Sequence, residues 1–219
     1  MPWLLLAAAL CTALHLGAIA LAAMRFGIPI REIHYGWGPT LLRLGPLRIK
    51  PLVFAGSVVL KDGGAEGLEG DAKRDAFDSQ PRMTRLLIGC AGPFALLTLA
   101  LLVSPFDGLG QVGSGFVQYV AGALSPFGQA QRLLRLAAEA AGGLDFMPLL
   151  GLVAAKTAAF NLLPLPGSNG GFLLQALFER TELARRWPPQ ATQAALLVFL
   201  GSVLSWVVAL AAFLWPLPR

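Results

Sequence analysis

Long apolar runs alternate with charged segments along the chain. Four of these runs come close to the roughly 20 residues that a helix needs to cross a bilayer, and they lie at 2–24, 86–104, 147–166 and 191–215. The first run has no basic residue before it and exceeds the apolar length of a signal peptide, so we interpret it as a retained helix. The pattern therefore predicts four transmembrane helices.

Two further stretches have weaker patterns. Residues 110–126 are apolar but interrupted by several glycines and one proline, which favours a re-entrant or interfacial segment. Residues 129–141 repeat leucine and alanine at helical spacing, which predicts a short amphipathic helix on the outer membrane face. Both belong to a predicted outer loop over residues 105–145.

The region between the first two long runs has a different texture. Residues 28–60 show short apolar–polar alternations separated by glycine and proline, which is typical of short strands and hairpins. Bare strand edges are not tolerated in lipid, so we expect this β-rich region at the membrane interface or packed within protein. Residues 61–80 are rich in glycine and charge and are predicted to be a flexible loop.

Composition agrees with this membrane assignment. The chain is 56% hydrophobic and only 13% charged, whereas about 25% charged residues is usual for soluble domains. Most of the basic residues lie in 25–85 and 167–190, so the positive-inside rule predicts that both loops are cytoplasmic and both termini lie outside. Basic and aromatic residues are not interleaved as they are in nucleic-acid-binding proteins. The pattern predicts an all-α polytopic membrane protein with a small membrane-associated β-hairpin region, forming a single domain over residues 1–219.

Four stretches, in this order, resemble the site-2 protease family of zinc intramembrane metalloproteases. They are HLGAIALAAMRFGIPIREIHYGWGP, PLVFAGSVVLKD, RLLIGCAGPFALL and FNLLPLPGSNGG. The resemblance implies a helical core with an active site inside the bilayer near its cytoplasmic face. It also implies a β-rich element that pairs with an unfolded substrate strand, and location in the bacterial cytoplasmic (inner) membrane.

The resemblance also implies where the catalytic residues would lie, and three of the four positions hold other residue types. His15 keeps the first zinc ligand, but Leu16 replaces the general base and Ile19 replaces the second histidine. Asn169 stands where the family has its aspartate ligand. Catalytic zinc needs three protein ligands, and leucine cannot accept a proton. We therefore expect no intact catalytic residue, no zinc and no other cofactor, and we interpret the chain as a pseudoprotease that binds or shields a membrane protein or transmembrane peptide.

Two other functions remain open at this point. Cys11 lies four residues before His15 and shares its helix face, so these two residues and one more donor could form a non-standard metal site in an active intramembrane metalloprotease. Alternatively, the chain is a scaffold subunit of a membrane complex. The second histidine, His34, is expected outside the helix bundle, and Cys90, like Cys11, is expected to pack as a small hydrophobe.

Three more positions carry expectations. Asn161 matches an asparagine that in the family helps to hold the substrate chain, although a structural hydrogen bond would also explain it. Leu96 replaces a family asparagine. Lys156 is an intramembrane cation that could snorkel outward, pair with Glu139 or Asp145, or occupy the space of the lost metal.

Overall fold

A computed structural model describes residues 2–182 and 186–215. Seven helices are described: α1 Pro2–Arg25, α2 Arg82–Val103, α3 Gly108–Leu124, α4 Gln129–Gly143, α5 Phe146–Asn161, α6 Asn169–Phe178 and α7 Pro189–Leu214. Between α1 and α2 lie four strands: β1 Ile30–Trp37, β2 Leu42–Leu44, β3 Leu47–Ile49 and β4 Leu52–Leu60.

Within the described residues, three helices are long and apolar enough to cross a membrane. They are α1, α2 and most of α7, which agree with three of the four predicted spans. The predicted span at 147–166 is too long, because α5 ends at Asn161 after 16 residues. Pro164 and Pro166 cannot continue a helix. At 1.5 Å per residue α5 is only about 24 Å long, less than the hydrocarbon thickness of about 30 Å.

A tight turn after α5 starts a separate short helix. Ser168 caps α6 by accepting a hydrogen bond from the Gly171 backbone nitrogen at 3.1 Å, and its hydroxyl donates to the Leu163 carbonyl oxygen at 2.6 Å. A side chain at position 171 would lie 2.0 Å from the Leu165 carbonyl oxygen, so only glycine fits there. Asn169 therefore lies at the start of α6, beyond the span predicted at 147–166.

Small residues form the contact between α1, α2 and α5. The buried cluster contains alanines from all three helices together with Cys11 and Leu96. Gly151 of α5 approaches α2 so closely that an added methyl group would lie 2.8 Å from the Val103 side chain. Close backbone approach through small residues is the usual way in which helices associate in lipid.

The strands predicted over 28–60 form one four-stranded sheet in the order β2-β3-β1-β4. β1 pairs in parallel with β3 and antiparallel with β4. The sheet packs along α1: the Tyr35 hydroxyl donates to the Ala9 carbonyl oxygen at 2.9 Å, and Leu16 contacts Gly56. Ala9 lies 16 residues before Arg25, a rise of about 24 Å. The sheet therefore follows α1 over more than half its length, so packing within protein is the better of the two expectations for this region.

α3 is a continuous helix rather than an apolar stretch broken by glycines. The glycines are instead points of close packing, with Gly115 against Ala159 of α5 and Gly122 against the Trp206 ring of α7. The Trp206 indole nitrogen donates to the Tyr119 carbonyl oxygen at 3.1 Å. The amphipathic helix predicted at 129–141 is present as α4.

Residues 61–80, which we predicted to be a flexible loop, are held by ion pairs and backbone hydrogen bonds. Arg31 pairs with Glu66 at 2.6 Å, and Lys61 pairs with Asp75. Asp78 accepts hydrogen bonds from the backbone nitrogens of Gly63 at 2.8 Å and Gly64 at 3.2 Å. These contacts lower the pKa of each carboxyl group: Arg31 does so for Glu66, Lys61 for Asp75, and the Gly63 backbone for Asp78. The charges that suggested flexibility therefore pair with one another and tie the segment together.

Candidate functional site

A cavity of about 350 Å³ lies between α1, α2, β4 and α6. Five residues that the motif resemblance singled out line this cavity together: His15, Leu16, Ile19, Asn161 and Asn169. Other parts of the wall come from β4, from α2, from Phe77 of the 61–80 segment, and from Phe172 of α6, whose ring lies 5.5 Å from that of Phe77. The fold therefore brings together positions that are up to 154 residues apart in the chain, counting from His15 to Asn169.

His15 is held between two helices. Its side chain is 8% exposed, and its ring packs against Gly92 so closely that a methyl group there would lie 2.5 Å from Nδ1. The Asn169 side chain lies beside the ring and donates from Nδ2 to the Gly89 carbonyl oxygen at 2.8 Å. Nδ1 has no hydrogen-bond partner among the described residues. Histidine and asparagine thus join α1, α2 and α6 through packing and polar contacts.

The other two positions on α1 are apolar. Leu16 is 3% exposed and packs on Gly56 of β4. Ile19 packs against a buried cluster of Ala23, Ile28 and Ile88. Neither side chain has a lone pair, so this face of α1 offers the cavity one possible metal ligand, the imidazole of His15, and no carboxylate.

The model of peptidase family M50 matches residues 4–208. The chain belongs to peptidase family M50, the site-2 protease family. No curated protein matched the chain. The M50 match includes every residue that lines the cavity.

The residues present do not fit the zinc ion of an M50 protease. Catalytic zinc needs three protein ligands and an open position for water. Among residues 2–182 and 186–215, no group of three His, Cys, Asp or Glu side chains is arranged to hold a metal. The positions that the resemblance assigns to the zinc ligands hold one imidazole, one isoleucine and one neutral amide. The only carboxylate in the described cavity lining is Asp62, whose Oδ1 accepts a hydrogen bond from the Ala65 backbone nitrogen at 2.8 Å.

The other candidate donors lie elsewhere. Cys11 is fully buried in the α1–α2–α5 cluster and is not among the residues lining the cavity. His34 lies on β1, where its Nε2 is 2.6 Å from Glu32 Oε2 and its Nδ1 is 3.5 Å from Ser57 Oγ. The geometry therefore gives the Cys11–His15 alternative no third donor within the described residues.

Asn161 makes the structural hydrogen bond that we considered and also lies at the cavity. Its Nδ2 donates to the Thr157 carbonyl oxygen of its own helix at 2.9 Å, and the residue also lines the cavity. Leu96, which the resemblance places at a family asparagine, is fully buried in the apolar cluster.

Lys156 does not occupy the space of a metal. Its ammonium group donates to the Gln111 carbonyl oxygen at 3.0 Å and to Ser114 Oγ at 2.7 Å, both on α3. It is not among the residues lining the cavity, and within the described residues it forms no ion pair with Glu139 or Asp145. Both the metal-space and the ion-pair interpretations are wrong, and Lys156 instead joins α5 to α3.

Sequence reasoning missed the contributions of Gly92, Phe77 and Phe172. Gly92 lies in the AGP stretch that carried part of the resemblance, but a glycine does not reveal which side chain it accommodates. Phe77 lies in a segment that looked flexible by composition. Its contact with Phe172 depends on tertiary structure and has no local signal.

Proposed function

We propose that this M50 protein does not hydrolyse peptide bonds and instead binds an extended segment of a membrane protein or transmembrane peptide in the cavity, holding or shielding it. The observation that supports this most is the composition of the cavity. Leu16 and Ile19 occupy the base and ligand positions, while the neighbouring wall is the edge strand β4.

The edge of β4 offers a way to bind an extended chain. Among the described residues, β4 pairs with β1 on one side only, so its other edge has backbone groups without a strand partner there. Unpaired backbone groups are costly away from water, and an added strand satisfies them without demanding a particular sequence. The cavity is at the lower end of the range of about 300–1,000 Å³ that is typical of ligand sites, which suits a short extended stretch.

The amide side chains support the same role. Asn161 and Asn169 both reach the cavity wall, and an amide can both donate to and accept from a peptide backbone. An intramembrane amide needs such partners. Binding of this kind needs no metal, so we expect it to be insensitive to chelators.

The cavity lacks the two groups that contribute most to peptide hydrolysis, a general base at position 16 and a bound metal ion. A general base contributes about 10²–10⁴-fold to the rate, and Leu16 cannot act as one. A metal ion supplies nucleophilic hydroxide at neutral pH, and His15 has no second or third ligand to hold the ion. The family resemblance supports the bacterial inner membrane as the location, and the charge distribution favours the cytoplasmic side for 25–85 and 167–190.

Binding can be tested with a defined probe in nanodiscs. The probe is a fluorescent peptide with about 20 leucine and alanine residues followed by an Asn-Gly-Pro sequence that unwinds its end. We expect the same Kd with and without a chelator, and no cleavage. Ile19→Trp, which fills the cavity, should weaken binding at least tenfold. Leu197→Trp is the control, because Leu197 is 70% exposed on the outside of α7.

A variant with the missing donor residues restored tests whether their replacement explains the loss of zinc binding. In the triple variant Leu16→Glu, Ile19→His and Asn169→Asp, the missing donors return to one cavity, so zinc should bind at about one ion per chain. Chelator-sensitive binding by the wild-type chain, or cleavage of the probe that disappears in His15→Ala, would refute the proposal.

A further inference from the structure

The described lining of the cavity contains one carboxylate and no cation to pair with it. The carboxylate belongs to Asp62, which lies two residues after the end of β4 and is half-buried. No Lys or Arg is among the described residues that line the cavity. The wall therefore carries a negative charge at its Asp62 end.

The basic side chains of the neighbouring segment do not neutralise Asp62. Residues 61–80 contain six acidic and three basic residues, so carboxylates are in excess. Three cations in and around this segment pair with other carboxylates: Arg31 with Glu66, Lys61 with Asp75, and Lys73 with Asp78. Asp62 has no ion pair among the described residues. Its Oδ1 accepts a hydrogen bond from the Ala65 backbone nitrogen at 2.8 Å, whereas its Oδ2 has no hydrogen-bond partner there.

β4 leads from an apolar part of the cavity to Asp62. Every second residue along this stretch lines the cavity: Gly56, Val58, Leu60 and Asp62. Gly56 contacts Leu16 of α1, whereas Leu60 pairs with Ile30, five residues after the end of α1 at Arg25. A segment that pairs along the β4 edge therefore has one end beside Leu16 and its other end beside Asp62.

We propose that Asp62 is a specificity-determining residue of the cavity, and that it selects an extended segment in which Lys or Arg follows an apolar part. This inference rests on the proposed function and names the class of segment that the cavity accepts. The charge distribution favours the cytoplasmic side for residues 25–85. Cytoplasmic ends of transmembrane segments carry an excess of Lys and Arg, so such segments combine the required apolar and basic parts.

The selection has a simple electrostatic cause. A segment that covers Asp62 removes water from its carboxylate, and a charge that loses water without gaining a partner is costly. A Lys or Arg side chain gives the carboxylate a charge-assisted hydrogen bond in return. Oδ2 is the acceptor for this bond, since Oδ1 already accepts from Ala65.

The test extends the fluorescent probe peptide and uses nanodiscs of phosphatidylcholine, whose headgroups carry no net charge. One peptide has three Lys residues after its Asn-Gly-Pro sequence, and a matched peptide has three Gln residues there, so that the result does not depend on one register along β4. Wild-type protein should bind the Lys peptide about fivefold more tightly, the upper end for a partly exposed ion pair.

Two variants locate the preference for Lys. Asp62→Asn keeps an oxygen that can accept from Ala65 but removes the charge, so it should bind both peptides with the same Kd. Glu69→Gln is the matched control, because Glu69 is an exposed carboxylate of the same segment that is not among the cavity-lining residues. This variant should keep the preference.

The outcomes separate this inference from the proposed function. Equal Kd values of wild-type protein for the two peptides would overturn the role of Asp62 and leave the proposed function intact. A preference that survives Asp62→Asn, or that Glu69→Gln also removes, would overturn it by placing the recognition elsewhere. Binding of neither peptide would refute both. Ile19→Trp should weaken binding of both peptides, and an unchanged Kd for the Lys peptide in this variant would place the recognition outside the cavity and refute the inference.

Discussion

Gly92 tests whether His15 is a packed side chain rather than a free metal ligand. A methyl group at position 92 would lie 2.5 Å from His15 Nδ1, 2.6 Å from Cε1 and 3.0 Å from Cγ. These distances are shorter than van der Waals contact, and the ring is 8% exposed with Asn169 beside it. The ring cannot move away without disturbing α6, so Gly92→Ala should strain the contact between α1 and α2.

Two opposing effects set the change in the free energy of unfolding that we expect for Gly92→Ala. Overpacking of a buried contact costs about 1–3 kcal/mol, whereas alanine in place of glycine inside a helix gains about 1 kcal/mol. The net effect of Gly92→Ala in the wild-type background is therefore a loss of about 0–2 kcal/mol. In a His15→Ala background the ring is absent and only the gain remains, so the same substitution should stabilise the protein by about 1 kcal/mol.

The change of sign can be measured with a double-mutant cycle. Thermal unfolding in nanodiscs is followed by the fluorescence of the five tryptophans. For a chain of this size 1 kcal/mol corresponds to about 2–4 °C in Tm. Gly17→Ala is the control, since a methyl group there meets nothing within 4 Å, and it should raise the Tm in both backgrounds. If Gly92→Ala has the same effect with and without His15, the imidazole is not packed against α2 and our description of the site is wrong.

Two further predictions concern the helix contacts and the 61–80 segment. Gly122→Ala should lower the Tm by several degrees, because its methyl group would lie 2.1 Å from the Trp206 ring. In a Trp206→Leu background the same substitution should no longer lower the Tm. An unchanged Tm in the Gly122→Ala single variant would contradict the α3–α7 packing. The carboxyl groups of 61–80 have lowered pKa values in the folded chain, so the stability they contribute is present above about pH 4 and is lost as the pH falls through the folded values. Hydrogen exchange of 61–80, corrected for the intrinsic rate, should therefore increase in acid relative to α2, and equal protection at pH 3 and pH 7 would contradict the role of these pairs. The groups are Glu66, Asp75 and Asp78.

The hydrophobic pattern and the positions of glycine and proline predicted much of the fold. Long apolar runs gave α1, α2 and α7 to within a few residues, because length and hydropathy are properties of the local chain. Alternation broken by glycine and proline gave the strands of 28–60. The end of α5 was misjudged because the apolar run continues through Leu165, and in this case the prolines outweigh hydropathy.

Tertiary contacts explain the remaining misses. The glycines of α3 look like helix breakers in sequence, yet Gly115 and Gly122 are points where another helix comes close. Residues 61–80 look flexible because local composition cannot show that Lys61 meets Asp75 or that Phe77 meets Phe172.

Five residues singled out in the sequence, His15, Leu16, Ile19, Asn161 and Asn169, line the cavity, whereas its other walls and its shape were not predicted. The motif positions on α1, α5 and α6 converge because the M50 frame is retained around them. The environment of Lys156 could not be foreseen, because its partners on α3 lie more than 40 residues away in the chain.

The zinc content of chain extracted from membranes and purified without chelator tests the central claim most directly. With only His15 remaining of the M50 ligands, we predict zinc far below one ion per chain, unchanged in His15→Ala, while the triple variant with restored donors binds about one. Stoichiometric zinc in the wild-type chain that is lost in His15→Ala would contradict the account.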